Sequence, residues 1–346
     1  MRRLAAALSF RRAPPPRKPP GHAHFALLLL ALLTPCALAA SDQVPDPLSL
    51  EQALAFAADH PRVAIGEQVD AAVSASDRAP KPLELPRAQP LYLGCHSLAF
   101  SGARDGDAER DVAWSSLLNP EAAQRLEIMQ RFFDVLLADL SFARDNEAMA
   151  VGYIRFDRGE ARGELGEFSA PKIAELRAEY QLIRRQRAAS EAAQRVTRAL
   201  LANALGHPES LPRELISPEI DFRDAPPAAL DEVVSRALKD NPRLRALMQG
   251  RDEGEQALLR MAVRERALEL ITRLELLEVV AEQTRTAADW RDLELDERRT
   301  LYELEAASDL GFSMSQQTKA RRDQEETALC RGLTLAELNA LQGLTP

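Results

Sequence analysis

The sequence of 346 residues predicts an all-α fold of two repeats, each built on a long antiparallel coiled-coil helical hairpin, with little or no β-barrel. Residues 121–151, 172–205 and 255–310 contain neither glycine nor proline and are rich in Ala, Leu, Glu, Arg and Gln, the strong helix formers. Apolar residues in these windows recur at alternating steps of three and four, the spacing of a coiled-coil seam. A phrase near the start of the folded chain also returns much later, which indicates a duplicated architecture.

The repeated phrase reads LSLEQALAFAADHPRV at residues 48–63 and AALDEVVSRALKDNPRL at residues 228–244. Both copies have a leucine followed by an acidic residue, a short amphipathic helix, and then Asp-His-Pro or Asp-Asn-Pro. We call each copy a strap. Because proline cannot continue a helix, each strap helix is expected to stop at this point.

The coiled-coil spacing extends through all three windows. Its positions are Leu126, Met129, Phe133, Leu136, Leu140 and Ala143, then Ile173, Leu176, Tyr180 and Ile183, and then Leu270, Leu274, Leu277 and Ala281. Asn119 and Pro120 precede the first window as a helix cap and a first helical residue. A helix from 120 to about 160 would be roughly 60 Å long. The pattern therefore predicts long hairpins with a narrow buried stripe.

These signals divide the chain into segments. We predict a signal peptide at 1–39, a first repeat at 40–206, a connector at 207–227 and a second repeat at 228–346. The first repeat would hold its strap at 48–63, a proline-rich linker without a long helix at 66–118, and a helical hairpin at 119–206. In the second repeat, Asn241 to Leu310 is expected to run as continuous helix.

The N-terminus has the layout of a secretory signal peptide. Basic residues are followed by an apolar stretch from Phe25 to Leu33, and Ala37-Leu38-Ala39 fits the signal-peptidase rule. Cys36 follows a lipoprotein-like sequence that departs from the pattern at Pro35, so lipidation is left open. Export would retain Cys95 and Cys330, and the sequence leaves open whether they form a disulfide or remain two structural thiols.

Charge and motif content restrict the function. The net charge of −9 becomes more negative when the basic signal peptide is removed, which argues against a nucleic-acid partner. No histidine has the spacing of a known metal motif, and there is neither a phosphate-binding loop nor a nucleophile elbow. We therefore predict a protein that is not an enzyme and needs no cofactor and no metal.

The doubled order of strap and hairpin resembles the TolC family of outer-membrane efflux proteins, over most of 48–63, 121–206 and 228–311. The first hairpin tip, Gly163-Glu-Leu-Gly166-Glu-Phe-Ser169, is similar to the family's tip motif, an aromatic residue followed by x-x-Gly-x-x-Ser. Gly163 stands where that motif has the aromatic residue. Ser308-Asp309-Leu310-Gly311 occupies the equivalent turn of the second hairpin.

The resemblance implies a homotrimeric tunnel in the envelope of a Gram-negative bacterium, in the outer membrane or the periplasm, for passive efflux or export. It implies a periplasmic adaptor and an inner-membrane transporter as partners. By the same resemblance, Gly166, Ser169 and Gly311 would contact the adaptor, and Asp309 would lie at the tunnel entrance. The residues alone fit a simpler interpretation equally well, in which Gly166 and Ser169 form a turn and Asp309 caps a helix.

The sequence departs from the family in one respect. The family has membrane strands within each repeat, and such strands need about 9–11 residues of alternating polarity. Only residues 89–100, QPLYLGCHSLAF, come near this pattern, and Pro90 and Gly94 interrupt it. The alternative hypothesis is therefore a strandless periplasmic helical scaffold or interaction protein that forms no channel.

Overall fold

The computed structural model describes residues 44–75, 89–102, 116–219, 229–304 and 310–346, which belong to one compact unit beginning at Gln43. The predicted signal peptide at 1–39 and Asp309 lie outside these residues. The described helices are α1 (Leu50–Ala55), α2 (Pro61–Ala75), α3 (Cys95–Ala99), α4 (Pro120–Glu164), α5 (Ala170–Ala204), α6 (Leu230–Asp240), α7 (Pro242–Met248), α8 (Glu253–Glu303) and α9 (Leu310–Leu341).

Helix α4 begins as the sequence predicts. The N–H of Ala122 donates a hydrogen bond of 2.6 Å to Oδ1 of Asn119, and Pro120 takes the first position, where no N–H is needed. Its 45 residues extend about 67 Å at 1.5 Å per residue. Helices α4 and α5 form the first hairpin, and α8 and α9 form the second.

The four long helices lie side by side in the order α5, α4, α9, α8, so that α5 and α8 are the two edges. The contacts that align them are Arg198 with Asp139 at 2.8 Å between α5 and α4, Thr318 with Glu147 at 2.7 Å between α9 and α4, and Gln317 with Asp292 at 2.5 Å between α9 and α8. Together with the chain order, these contacts show that neighbouring helices are antiparallel.

The first half of α4 is buried on every side, whereas the sequence predicted only a narrow stripe. Phe132 and Phe133 are adjacent, so they point to different sides of the helix, and both are fully buried. The helix reaches this burial because α1, residues 89–102 and the helices α5 and α9 all pack around it. A helix that is enclosed in this way can be apolar on all faces.

The first strap is attached to the end of α5 by His60. The ring Nδ1 accepts a hydrogen bond of 3.2 Å from the N–H of Arg62, and Nε2 lies 3.1 Å from the carbonyl oxygen of Asn203. Since Nδ1 faces a donor, the proton is assigned to Nε2, which donates to that carbonyl. His60 therefore joins the start of α2 to the last turn of α5.

The second strap uses Asn241 in the same way. Its Oδ1 accepts a hydrogen bond of 2.9 Å from the N–H of Arg243, and its Nδ2 donates a bond of 3.0 Å to the carbonyl of Leu341. Leu341 ends α9, just as Asn203 lies in the last turn of α5. The histidine of one strap and the asparagine of the other thus perform the same two tasks.

Two expectations about helix bounds are wrong. Helix α2 runs through Pro61–Ala75 and enters the predicted linker, because Pro61 serves as a first helical residue and no further proline follows within the helix. The predicted continuous helix from Asn241 to Leu310 is broken at residues 249–252, where Gly250 adopts a φ of 71°. That φ lies in the left-handed region, which glycine enters without steric penalty.

In the part of the chain that the structure describes, no helix is both long enough and apolar enough to span a membrane. The same residues contain no strand, and their only β-type pairing is an isolated parallel bridge between Leu48 and Leu215.

Candidate functional site

The first hairpin tip is an exposed turn between α4 and α5. Gly166 has a φ of 75°, and a Cβ added to it would meet nothing within 4 Å. Ser169 begins α5 as an N-cap whose side chain makes no capping hydrogen bond. Leu165 beside them is 75% exposed. The two predicted tip residues are therefore close together at the surface, in the turn that backbone geometry requires.

Gly163, which replaces the aromatic residue of the tip motif, packs closely against α5. A Cβ at Gly163 would overlap the side chain of Ile173 on α5. Gly152 and Gly159 receive Ile183 and Leu176 in the same manner, so three glycines let the two helices approach closely. An aromatic side chain at 163 would require the side chain of Ile173 to move from its present position.

Gly311, the third predicted tip residue, does not lie in a turn at the level of the first tip. It is in the first turn of α9, and a Cβ there would be 2.7 Å from Cγ2 of Val151 in α4. From Val151, α4 continues to Glu164, about 20 Å farther. The first hairpin thus overhangs the start of α9 by that distance, which the sequence alignment of the two tips did not indicate.

The overhanging part carries an aromatic cluster that the sequence analysis missed. The rings of Phe156 and Tyr180 stack at 5.5 Å between centroids, and Tyr153 lies 6.0 Å from Tyr180. The guanidinium of Arg177 lies 5.6 Å from the centroid of Phe156. Only Tyr180 belongs to the predicted seam, so periodicity could not group these residues.

Both edge helices have a second apolar seam that faces outward. The outer seam of α5 consists of small residues and one arginine: Ala178, Leu182, Arg185, Ala189, Ala192, Val196 and Ala199. The outer seam of α8 consists of larger apolar residues and acids: Leu258, Met261, Glu265, Leu268, Glu275, Val279, Glu282, Trp290, Leu293 and Glu297. Apart from the half-buried Ala192, these residues are exposed, and they have helical spacing on a single face.

Residues 89–102, which we call the anchored segment, are held on the long helices by backbone hydrogen bonds. Asp134 is 0% exposed, and its carboxylate accepts from the N–H groups of Leu91 at 2.9 Å, Tyr92 at 2.7 Å and Leu93 at 3.1 Å. The sequence showed Asp134 only as one acid in a helical window. Its partners are about forty positions away, so no local pattern could reveal this role.

The next residues of the anchored segment are tied to α9. The N–H of Gly94 hydrogen-bonds the carboxylate of Glu326, whose pKa is raised by burial although Arg322 acts against the rise. Cys95 and Cys330 form a disulfide, which settles the alternative that the sequence left open. Both cysteines are buried, so the bond lies inside the packed interface between the anchored segment and α9.

An ion-pair network on α8 and α9 contacts the anchored segment at His96. Glu269 of α8 accepts from Arg266 at 2.6 Å and from Arg273 at 2.7 Å, and it lies 3.3 Å from Nδ1 of His96. Glu337 of α9 accepts from Arg273 at 2.9 Å. Burial acts to raise the pKa of Glu269, but the two guanidinium groups outweigh it and lower the pKa to about 2.

This network gives an expected pH dependence. Because the pKa of Glu269 is lower in the folded chain than in the unfolded chain, its stabilising effect is complete above about pH 4.5 and is lost as the pH falls towards 2. We expect Glu269→Gln to lower the free energy of unfolding by about 2 kcal/mol at pH 7, after allowance for solvent screening. Urea unfolding at several pH values measures the difference between wild type and variant. A difference that stays constant down to pH 2.5 would contradict the assignment.

Within the described ranges, no group of His, Cys, Asp or Glu side chains is arranged to hold a metal ion. No protein-family model matches the sequence, and no curated protein matches it. Similarity is found among solved structures. The fold resembles that of CusC, studied for folding and transmembrane channel formation, with a TM-score of 0.53, 12% identity and coverage of 85% of this chain and 96% of CusC.

A membrane protein from Pseudomonas aeruginosa matches with a TM-score of 0.50 and 14% identity, covering 86% of this chain and 90% of that protein. The outer membrane protein VceC of Vibrio cholerae matches with a TM-score of 0.46 and 12% identity, covering 86% of this chain and 97% of VceC. The predicted all-α fold of paired long hairpins, of the TolC-like type, is confirmed. At these identities the likeness shows the fold alone.

Proposed function

We propose that this protein is a subunit of a TolC-like tunnel in the envelope of a Gram-negative bacterium, and that it carries out passive efflux or export. The observation that carries the proposal is the pair of outer seams on α5 and α8. Two unlike edges on one layer generate a head-to-tail interface, which closes into a ring when the rotation is right. The family resemblance favours three copies, which would supply twelve long helices.

The α5 seam and the part of the α8 seam at the same height, from Glu282 to Glu297, are complementary in size and carry one pair of opposite charges. The contacts between neighbouring helices show which residues of α5, α4, α9 and α8 lie at the same level along the layer. In a ring without vertical offset between copies, Ala189 of one copy lies beside Leu293 of the next, and Arg185 lies beside Glu297. Small side chains thus oppose large ones, and a cation opposes an anion. The direction of the helices also continues to alternate, because α5 and α8 are antiparallel to each other.

We expect Arg185→Glu to weaken assembly, because it would place two acids together at this junction, and Glu297→Arg in the same chain to restore it. The single change is expected to raise the dissociation constant about tenfold, and helix content should stay the same because both positions are exposed. Sedimentation of the processed protein measures the subunit number. Glu303→Arg, on the same helix outside the seam, serves as a control. A wild-type protein that remains monomeric at all concentrations would refute the ring.

The exposed first tip is proposed to contact a periplasmic adaptor through Gly166 and Ser169, with an inner-membrane transporter completing the system. Gly311, in the first turn of α9, would lie farther from that contact than Gly166 and Ser169. Asp309 is proposed to lie at the tunnel entrance. Conduction of this kind needs no chemical step, which agrees with a protein that is not an enzyme.

Substitutions at the tip test adaptor docking. In a strain whose tolerance of drugs or metals depends on this gene, Leu165→Glu combined with Ser169→Arg is expected to abolish tolerance, while the amount of folded protein stays unchanged. Leu211→Glu places the same charge on an exposed leucine of the connector and should have no effect. Full tolerance in the tip variant would rule out docking at this turn.

The disulfide supports an envelope location. Disulfides persist in oxidising compartments such as the periplasm, and a buried bond between Cys95 and Cys330 would not be maintained in a reducing cytosol. This agrees with the signal peptide predicted at 1–39. The choice between outer membrane and periplasm is left to fractionation.

One observation favours a second candidate, a periplasmic helical scaffold that forms no channel. Where the resemblance implies membrane strands in the second repeat, α7 and α8 are joined only by residues 249–252. Cell fractionation separates the two candidates. A heat-resistant trimer in the outer-membrane fraction supports the tunnel, and recovery as a soluble periplasmic monomer supports the scaffold.

A further inference from the structure

The layer of long helices is covered on both faces, and the two coverings differ. One face carries the anchored segment. The other carries α1, residues 207–219 of the connector, α6 and α7, which we call the strap layer. Two pairs of contacts on α8 and α9 establish that these coverings lie on opposite faces.

On α8, Arg264 donates to Asp231 of α6 at 2.6 Å, whereas Glu269 lies 3.3 Å from His96 of the anchored segment. Arg264 and Glu269 are five residues apart, which places them roughly 140° apart around the helix. The strap layer and the anchored segment therefore contact well-separated sides of α8.

The same separation occurs on α9. Glu325 accepts a hydrogen bond of 3.0 Å from Ser217 of the connector, whereas Cys330, five residues later, is bonded to Cys95. The connector is in turn joined to the start of the first strap, because the N–H of Leu48 donates to the carbonyl of Glu214 at 3.0 Å. The first strap and the connector, like α6, thus lie on the face opposite to the anchored segment.

We infer that in the proposed ring the anchored segment lies inside the tunnel and narrows it to a size filter for ions and small solutes. This inference rests on the proposed ring. With interaxial distances of 8–10 Å, twelve helices form a circle of roughly 17 Å radius. A second layer packed inside that circle has only about 45–50 Å of circumference.

The available space decides which covering is inside. The strap layer contributes several elements from each copy, and three copies of it at helix widths of about 10 Å would exceed this circumference. Three copies of the single anchored segment fit, and they leave an opening only a few ångströms in radius. The strap layer therefore lies outside and the anchored segment inside.

The chemistry of the anchored segment suits a filter. Residues 89–102 contain no Asp, Glu, Lys or Arg, and His96 faces Glu269 of the wall. Leu91 is 51% exposed and points away from the helices that hold the segment. Where residues 89–102 line it, the tunnel would present no Asp, Glu, Lys or Arg of the segment, and this part would exclude large solutes by size rather than by charge.

Cysteine labelling in the assembled protein tests the inference. Leu91→Cys reports on the anchored segment and Leu211→Cys, at a matched exposure, on the strap layer. Both are treated with N-ethylmaleimide and with a maleimide carrying a long polyethylene glycol chain. Peptide mapping first verifies that the bond between Cys95 and Cys330 is intact.

In the ring, both variants should react with N-ethylmaleimide, but the polymer reagent should label Leu91→Cys at least an order of magnitude more slowly than Leu211→Cys. In subunits dissociated by urea, the two rates should become equal. Equal polymer labelling within an intact ring would overturn the inference and leave the ring standing. Failure to assemble, seen by sedimentation before any labelling, would overturn both.

Discussion

Replacing Cys95 and Cys330 together by alanine is expected to lower the free energy of unfolding by about 3–5 kcal/mol. The disulfide joins residues separated by 235 positions, so it closes most of the folded chain into a loop and restricts the unfolded state strongly. It also holds the anchored segment against α9, where both cysteines are buried. Urea unfolding of wild type and variant under oxidising conditions measures the loss.

Reduction provides the matched control. A reductant that opens the bond in the unfolded wild-type chain should bring its stability close to that of the double variant, and the double variant should not respond to the reductant. Helix content at low urea should be unchanged, because the long helices arise from local sequence and from packing along the hairpins. Equal stability of oxidised wild type and variant would show that the bond contributes nothing to folding.

The long helices were accessible from sequence because their causes are local. Windows free of glycine and proline, and the pair Asn119-Pro120, act within a few residues of one another, and they placed α4, α5 and most of α8. The break at Gly250 was missed because an isolated glycine is tolerated in a helix. The positive φ belongs to the turn that brings apolar residues of α7 and α8 into one cluster, which is a tertiary feature.

The hairpin tips also have local features, which the sequence predicts, and features that depend on tertiary packing, which it does not. Gly166 and Ser169 were identified as a turn, because a left-handed residue and an N-cap have residue preferences that can be read locally. The position of Gly311 could not be read, because it depends on how α9 aligns with Val151 in the other hairpin. The enclosure of α4 and the disulfide likewise depend on where residues 89–102 fold back, and no periodicity encodes that.

Asp134→Ala is expected to lower the free energy of unfolding by roughly 3–5 kcal/mol, because it leaves the N–H of Leu93 buried without its acceptor and removes the acceptor of the part-buried N–H groups of Leu91 and Tyr92. Asp134→Asn should be milder. Its amide oxygen can still accept from two of these groups, but its NH₂ would face the third, a donor against a donor. Urea unfolding should therefore rank the stabilities as wild type, Asn variant and Ala variant.

The stability effects of changing Asp134 and of removing the disulfide can be compared singly and together. The comparison shows whether Asp134 and the disulfide hold the same segment, or whether Asp134 acts only as a buried acceptor. If Asp134 and the Cys95–Cys330 bond hold the same element, the triple variant should lose about 1–3 kcal/mol less than the sum of the separate losses. Once the disulfide is gone, the anchored segment can leave the helices, and its amides then hydrogen-bond to water instead of remaining unpaired. Arg264→Ala combined with Asp134→Ala serves as the comparison and should be additive, because Arg264 contacts Asp231 of α6 and not the anchored segment. Strict additivity in the triple variant would mean that Asp134 and the disulfide act independently and that the segment stays in place without its disulfide.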